Sequence, residues 1–340
     1  MPQPNNSVEG RRGRPPRSAV YERLRVQIAE LRDRLGGLPS PTEADGIWRY
    51  IWLEEAHHST AIEGNTLALK QVAALLHEGR AVGSKALSEY LEVRGYADAA
   101  DWVYGHGIAP RDWADGSLIS LAELRHIHLL AMTPVWDVAP HPLATERERP
   151  GSFRQHDVQP FPGGMKPPAW TDVPVLVQDW LKEVERLSGT DELELSEALA
   201  SVHARFEQTH PFLDGNGRTG RLALNLVLVR LGFPPAIIYK RDRSRYLGAL
   251  RRADEGDFGP LGEFLARAIL NNLYKFIVPA VAGPARMVPL PALATDSLSA
   301  NALRVAAVRG RLEAAKGHDG AWRSSRAWVE EYEAARYKRT

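Results

Sequence analysis
Two stretches of helical period, one from about Leu193 to Thr209 and one from Gly217 or Arg218 to Leu231, are joined by the string His210-Pro211-Phe212-Leu213-Asp214-Gly215-Asn216-Gly217-Arg218-Thr219-Gly220-Arg221. Leu195, Leu199, Val202 and Phe206 recur at three- and four-residue spacing in the first stretch. Leu222, Leu226 and Leu228 continue the second until Gly232 and Pro234 stop it. Such periodicity on both sides predicts two buried helices and a connecting loop held on a rigid mount. Each residue type in that loop suits a nucleoside triphosphate. His210 ionises near neutrality and can take a proton from a hydroxyl. Asp214 offers the hard carboxylate oxygen that Mg2+ prefers. Gly215 and Gly217 flank Asn216 and let backbone N–H groups turn toward an anion. Arg218 and Arg221 lie three apart at a helix N-terminus, where the dipole already favours negative charge. A plain surface turn also uses Asp-Gly-Asn-Gly, but it needs neither the histidine nor the two arginines.

The complete string resembles the signature of the Fic (Fido) family: HPF, any residue, Asp or Glu, GNGR, two residues, Arg. The resemblance implies a mainly α-helical enzyme that moves AMP from ATP to a protein hydroxyl. It implies His210 as the base and Asp214 as the holder of Mg2+. Gly215, Asn216, Gly217 and Arg218, with Thr219 and Gly220, would line the nucleotide phosphates, and Arg221 would reach the γ-phosphate. Tyr246 fits the family's place for an aromatic beside the adenine. The Asn that often follows one turn later is replaced here by Ala253-Asp254, which leaves base selectivity open.

A second segment, Ser59-Thr60-Ala61-Ile62-Glu63-Gly64-Asn65, resembles the family's inhibitory motif. The resemblance implies that Glu63, with Ser59, occupies Arg221 and blocks productive seating of the γ-phosphate. A carboxylate bound to a guanidinium competes directly with phosphate oxygens. Gly64-Asn65 is also ordinary helix-stop chemistry, in which case Glu63 is an exposed helix end.

At 340 residues the chain has length for two or three domains, and 44% hydrophobic with 25% charged residues is an ordinary globular mixture. It has no cysteine, which excludes disulfides, thiolate metal sites and a cysteine nucleophile. That is compatible with a reducing compartment, and a cytoplasmic location is expected. Met1 to Ser18 has no apolar core of a secretory signal, and no apolar run is long enough to span a bilayer. No membrane partner is expected.

Residues 1–19 read as a disordered basic arm whose Gly13-Arg14-Pro15 resembles an AT-hook core. Residues 20–115 read as an N-terminal helical region: Leu24, Ile28, Leu31 and Leu35 mark one helix, a second runs from about Glu43 to Ile62, and others cover Leu67 to His77 and Ser84 to Val103. Residues 116–280 read as the catalytic core, with a helix from about Leu121 to Met132. Between Pro134 and Pro174 the helical period is lost; Gly151 to Arg154 and Val158 to Phe161 predict two short strands, resembling the family's hairpin flap that aligns a target segment by strand pairing. His203 reads as a packed histidine, and Asn225, in an apolar helix, needs a bonding partner.

Residues 281–291 read as a Pro/Gly/Ala linker. Residues 292–340 carry a surplus of Lys and Arg over Asp and Glu, and the run through Arg309, Trp322, Arg323, Arg326 and Tyr332 resembles a small helix-turn-helix or winged-helix module. The fold class is therefore mainly α: a Fic-type helical core with a short β-hairpin flap and a small helix-turn-helix-like module. The leading function is an autoinhibited protein AMP-transferase using ATP and Mg2+. The alternative is a DNA-binding regulator whose core senses nucleotide. Expected partners are a target protein with a Tyr, Thr or Ser hydroxyl, DNA through residues 292–340 and the basic arm, and a second copy of the chain.

Overall fold
The structure, a computed structural model, describes residues 15–41, 44–108, 116–160, 164–283, 286–317 and 320–337. Most of the basic arm, with its Gly13-Arg14 pair, lies outside the described residues. The helices are α1 (Arg17–Leu35), α2 (Asp45–Ile62), α3 (Leu69–Glu78), α4 (Leu87–Ile108), α5 (Leu121–Trp136), α6 (Val173–Arg186), α7 (Leu195–Thr209), α8 (Asn216–Arg230), α9 (Arg243–Asp254), α10 (Gly259–Asn272), α11 (Val278–Val281), α12 (Ala300–Val308) and α13 (Arg326–Tyr337). The expected helices are present with ends shifted by a few residues. The molecule is mainly helical. No helix among the described residues is long and apolar enough to cross a membrane.

The centre is α8, whose side chains from Arg218 to Val229 are all buried. It packs against α4, α5 and α7, with α2 laid along one side. A helix buried on every face belongs in the middle of a bundle. Its end is fastened by charge: Arg230 reaches Glu123 at 2.5 and 3.0 Å. Glu123 also closes a capping box with Ser120 at the start of α5, receiving the Ser120 N–H at 2.8 Å while Ser120 Oγ receives the Glu123 N–H at 3.2 Å. The C-terminus of one helix is thereby tied to the N-terminus of another.

The segment expected as a hairpin flap departs from expectation. Gly151–Pro160 forms no strand ladder among the described residues; Phe161 to Gly163 lie outside them. Pro160, Pro162, Pro167 and Pro168 supply no N–H to a ladder. Arg154 turns inward instead and is 1% exposed.

The sheet lies at the C-terminal end. β1 (Val288–Pro289), β3 (Trp322–Ser324) and β2 (Ala315–Lys316) pair antiparallel in that order, with Val288 opposite Ser324 and Ala315 opposite Arg323. With α12 before the β2–β3 hairpin and α13 after it, they form a small helix–hairpin–helix unit. Val288 and Leu290 are buried, so the stretch read as linker contributes a strand and core to that unit. The unit docks on α1 through Arg323 and Glu30, 2.6 Å apart.

Candidate active site
The loop between α7 and α8 begins with backbone strain. His210 has φ 48° and ψ 58° and is the one positive-φ residue other than glycine among the described residues. It ends α7 in a left-handed turn, its N–H donating to Phe206 O at 3.1 Å. The geometry is over-determined from three sides. Arg154 donates from Nε to His210 O at 2.9 Å, from Nη1 to His156 O at 3.2 Å and from Nη2 to Pro168 O at 2.6 Å, while its backbone N–H reaches Pro211 O. Asn216 accepts from Phe212 N and donates to Phe212 O, both at 2.8 Å. The His128 ring lies parallel to Phe212 at 3.7 Å between centroids. His128 Nδ1 accepts from Gly151 N at 2.7 Å, so Nε2 carries the proton and donates to Asp214 O at 2.9 Å. Burial pushes the His128 pKa down to about 4, which keeps that neutral tautomer.

Gly215 opens α8 with φ 77°, and a Cβ there would sit 2.5 Å from Met132 Sδ. Both the turn and the close approach require glycine. Asp214 is about half exposed; Oδ1 accepts from Gly215 N at 2.6 Å and from Arg218 Nη2 at 3.2 Å. Burial works to raise the Asp214 carboxyl, but Arg218 and the Gly215 N–H prevail and hold it below the usual range, so it is ionised at neutral pH.

His210 is 9% exposed, and its Nδ1 lies 3.3 Å from Glu207 O, which assigns the proton to Nδ1 and leaves Nε2 an acceptor. Burial pushes its pKa down to about 4. The imidazole is therefore neutral, the form a proton acceptor needs. Arg218 is 4% exposed; Nε and Nη1 are buried without a hydrogen-bond partner, Nη1 lying 3.6 Å from Glu92. Thr219 Oγ1 is likewise buried without one. A buried guanidinium with unused donors at a helix N-terminus is suited to an anion.

Arg221, one turn further, is engaged through Nε and Nη2. Nε donates to Ser59 Oγ at 2.7 Å, and Nη2 donates to Ser59 O at 3.1 Å and to Glu63 Oε1 at 2.7 Å. The guanidinium is shared between hydroxyl, carbonyl and carboxylate rather than held bidentately by Glu63. Gly217 makes the approach possible, since a Cβ there would lie 2.5 Å from Glu63 Oε1.

Of the residues singled out in the sequence, His210, Asp214, Gly215, Gly217, Arg218, Thr219, Arg221, Ser59 and Glu63 converge on one end of α8. Asn216 faces inward and clamps the loop. Gly220 packs on Phe206 and Glu207. Tyr246 is 1% exposed, its hydroxyl 2.7 Å from His203 Nε2 and its ring against Phe264. A buried phenol must satisfy its hydroxyl inside the core, and His203 does so. Sequence reasoning missed Arg154, His128 and Glu207. Burial raises the Glu207 carboxyl to about 7, beside Arg221. Its three-residue offset from His210 was the available signal.

Residues 118–228 match the sequence pattern of the Fic/DOC family. The chain is 32% identical over 247 residues to a "Protein adenylyltransferase Fic" of Drosophila willistoni, an alignment covering 71% of this chain and 45% of the relative. It is 28% identical over 260 residues to "Protein adenylyltransferase fic-1" of Caenorhabditis elegans, covering 76% and 48%. The chain thus spans about half the length of the curated relatives it matches. Among solved structures, Fic-1 from C. elegans superposes with a TM-score of 0.57 at 28% identity, covering 75% of this chain and 71% of that one.

Proposed function
We propose, on the premise that residues 118–228 form a domain of the Fic/DOC family, that this chain transfers AMP from ATP to a Tyr, Thr or Ser hydroxyl of a protein, itself included. The observation that carries the proposal is the juxtaposition of a neutral buried His210, an ionised Asp214 and a buried Arg218 with unused donors at the N-terminus of α8. The names of the related adenylyltransferases support it.

The target hydroxyl gives its proton to His210 Nε2 as its oxygen attacks the α-phosphorus. The bond from that phosphorus to the oxygen bridging the α- and β-phosphates breaks, and pyrophosphate leaves. Glu207 O holds the Nδ1 proton, which keeps Nε2 aimed and raises its readiness to accept. Arg218 and the first N–H groups of α8 hold the phosphates in line. Arg154, buried and bonded to three carbonyls, keeps the loop from relaxing out of its strained turn.

Asp214 fits the role of a Mg2+ ligand. Its carboxylate is ionised and half exposed, and no cluster of three or more His, Asp or Glu among the described residues could cage a metal. A single protein carboxylate completed by phosphate oxygens and water is the coordination Mg2+ commonly takes. When bound, the ion neutralises developing charge on the phosphates.

Glu63 and Ser59 act as a brake. They occupy Nε and Nη2 of Arg221, which would otherwise take the γ-phosphate, and so leave ATP without the contact that seats its α-phosphate before His210. The test uses Glu63→Gly protein with ATP labelled at either the α- or the γ-phosphate, alone and with candidate target proteins. Label retained on protein from the α position but not the γ position supports AMP transfer. Label from the γ position, or from neither, overturns it.

A further inference from the structure
α2 and α8 lie side by side in opposite senses, and polar side chains join them at four-residue intervals. Glu63 reaches Arg221 beside Gly217, Ser59 takes Arg221 Nε, and Glu55, one turn earlier, meets Asn225, one turn later on α8. The first two layers belong to the brake. The third is the most deeply buried and has no part in the chemistry described above.

Glu55 is 2% exposed. Its Oε1 accepts from Tyr96 Oη at 2.7 Å and from Asn225 Nδ2 at 2.7 Å, and its Oε2 accepts from Tyr104 Oη. Asn225 Oδ1 is itself fixed by the Ala236 N–H at 2.8 Å. Both carboxyl oxygens are therefore served by donors, from α4 on one side and α8 on the other. Burial pushes the carboxyl pKa up, against those three hydrogen bonds and the charge of Arg221. Three donors around one buried group are directional, whereas the apolar packing of Ile51, Leu53 and Ile62 on the same helix is not.

We propose that Glu55 is a positioning residue for the brake: by locking α2 onto Tyr96, Tyr104 and Asn225, it fixes the rotation and axial place of the helix so that Glu63 falls on Arg221. This rests on the reading of Glu63 as a brake. One residue of helix is a step of about 1.5 Å and about 100° of rotation. Even a fraction of that step moves the Glu63 carboxylate out of the 2.7 Å contact. The far end of α2 is fastened separately. Asn65 Nδ2 donates to Glu89 O at 2.8 Å and to Glu92 Oε2 at 3.0 Å, and Arg243 Nε donates to Ile62 O at 2.7 Å. Glu63 is thus bracketed, and Glu55 is the bracket on its N-terminal side, eight residues and about 12 Å away.

The test compares auto-labelling from α-labelled ATP by the full chain carrying Glu55→Ala, Glu55→Gln, Glu63→Gly, and each Glu55 change combined with Glu63→Gly. Glu55→Ala is expected to raise labelling several-fold over wild type. The same change in the Glu63→Gly background is expected to add nothing, because the contact it loosens is already gone. Glu55→Gln, which keeps shape and one acceptor, is expected to give a smaller rise. A residue needed only for folding would lower labelling in both backgrounds, and that result overturns the proposal. Folded Glu55→Ala that labels no faster than wild type, while Glu63→Gly does, overturns the proposal and leaves the brake standing. Should Glu55→Ala not fold, Glu55→Gln decides: a rise supports the proposal and its absence overturns it. If Glu63→Gly itself labels no faster, the brake fails and Glu55 with it.

Discussion

The loop at the head of α8 and the helix–hairpin–helix unit at the C-terminus are both marked by basic residues, and the structure treats those residues in opposite ways. At the loop, Arg154, Arg218 and Arg221 are each no more than 4% exposed, and each reaches at least one group more than fifty residues away in sequence. In the C-terminal unit, Arg304, Arg309, Arg311, Lys316, Arg326 and Arg336 are all exposed. Arg323 is the exception, turned inward to Glu30 on α1. Burying a charge is costly unless a partner or ligand repays it. Buried arginines are therefore specific statements about what they hold, while an exposed cation is an ordinary feature of a soluble surface. The comparison supports the proposed function at the loop and marks Arg323 as an attachment point, the one buried arginine among the described residues of the C-terminal unit.

The largest expected effect is at His210. His210→Ala, made in the Glu63→Gly background, should lower AMP transfer by about 10²–10⁴-fold with an unchanged circular dichroism spectrum; near-normal labelling would remove His210 from the mechanism. Next comes Asp214→Ala, which should lose Mg2+-dependent transfer; wild-type rates from Asp214→Ala, or transfer by the Glu63→Gly protein that is indifferent to EDTA, would show that Asp214 holds no metal. A third effect sharpens the account of burial. Because the His210 pKa is pushed down to about 4, the base stays neutral as pH falls from 7 to about 5, and activity should decline only as pH passes through about 4. A rate profile falling near the unperturbed histidine value, in protein still folded by circular dichroism, would contradict that environment.

The smallest effects lie in the C-terminal unit and contrast two of its arginines. Arg323→Ala leaves Glu30 partly buried without its cation and should cost about 2 kcal/mol of stability. Arg311→Ala, on the exposed surface, should stay within about 0.5 kcal/mol of wild type. Chemical denaturation of the full chain reads both, and equal effects would dissolve the distinction between buried and exposed cations.

Much of this was legible in the sequence, for local reasons. Periodicity is a short-range property, so α7, α8 and the loop between them follow from Leu195, Leu199, Val202 and Phe206 and from Leu222 and Leu226. The string from His210 to Arg221 packs its chemistry into adjacent positions, and Ser59 and Glu63 were readable because both ends of the Arg221 contact carry a motif. What was hidden depends on contacts no spacing encodes. Glu55 and Asn225 are 170 residues apart, and His128 and Asp214 are 86 apart. Arg154 was read as part of a strand; its true partners are carbonyl oxygens, which have no sequence identity to recognise. The burial of Tyr246 was hidden for a related reason. Its neighbours His203 and Phe264 come from other helices and close over it.

The most direct test of the central claim, that Glu63 silences the site by holding Arg221, is the rate of auto-labelling by wild type and Glu63→Gly at saturating ATP. The account predicts a strong rise for Glu63→Gly. Adding Arg221→Ala should return much of that gain, since the freed guanidinium is what the γ-phosphate needs. Glu63→Gly labelling at the wild-type rate would contradict the account and return Glu63 to the role of a helix-end residue.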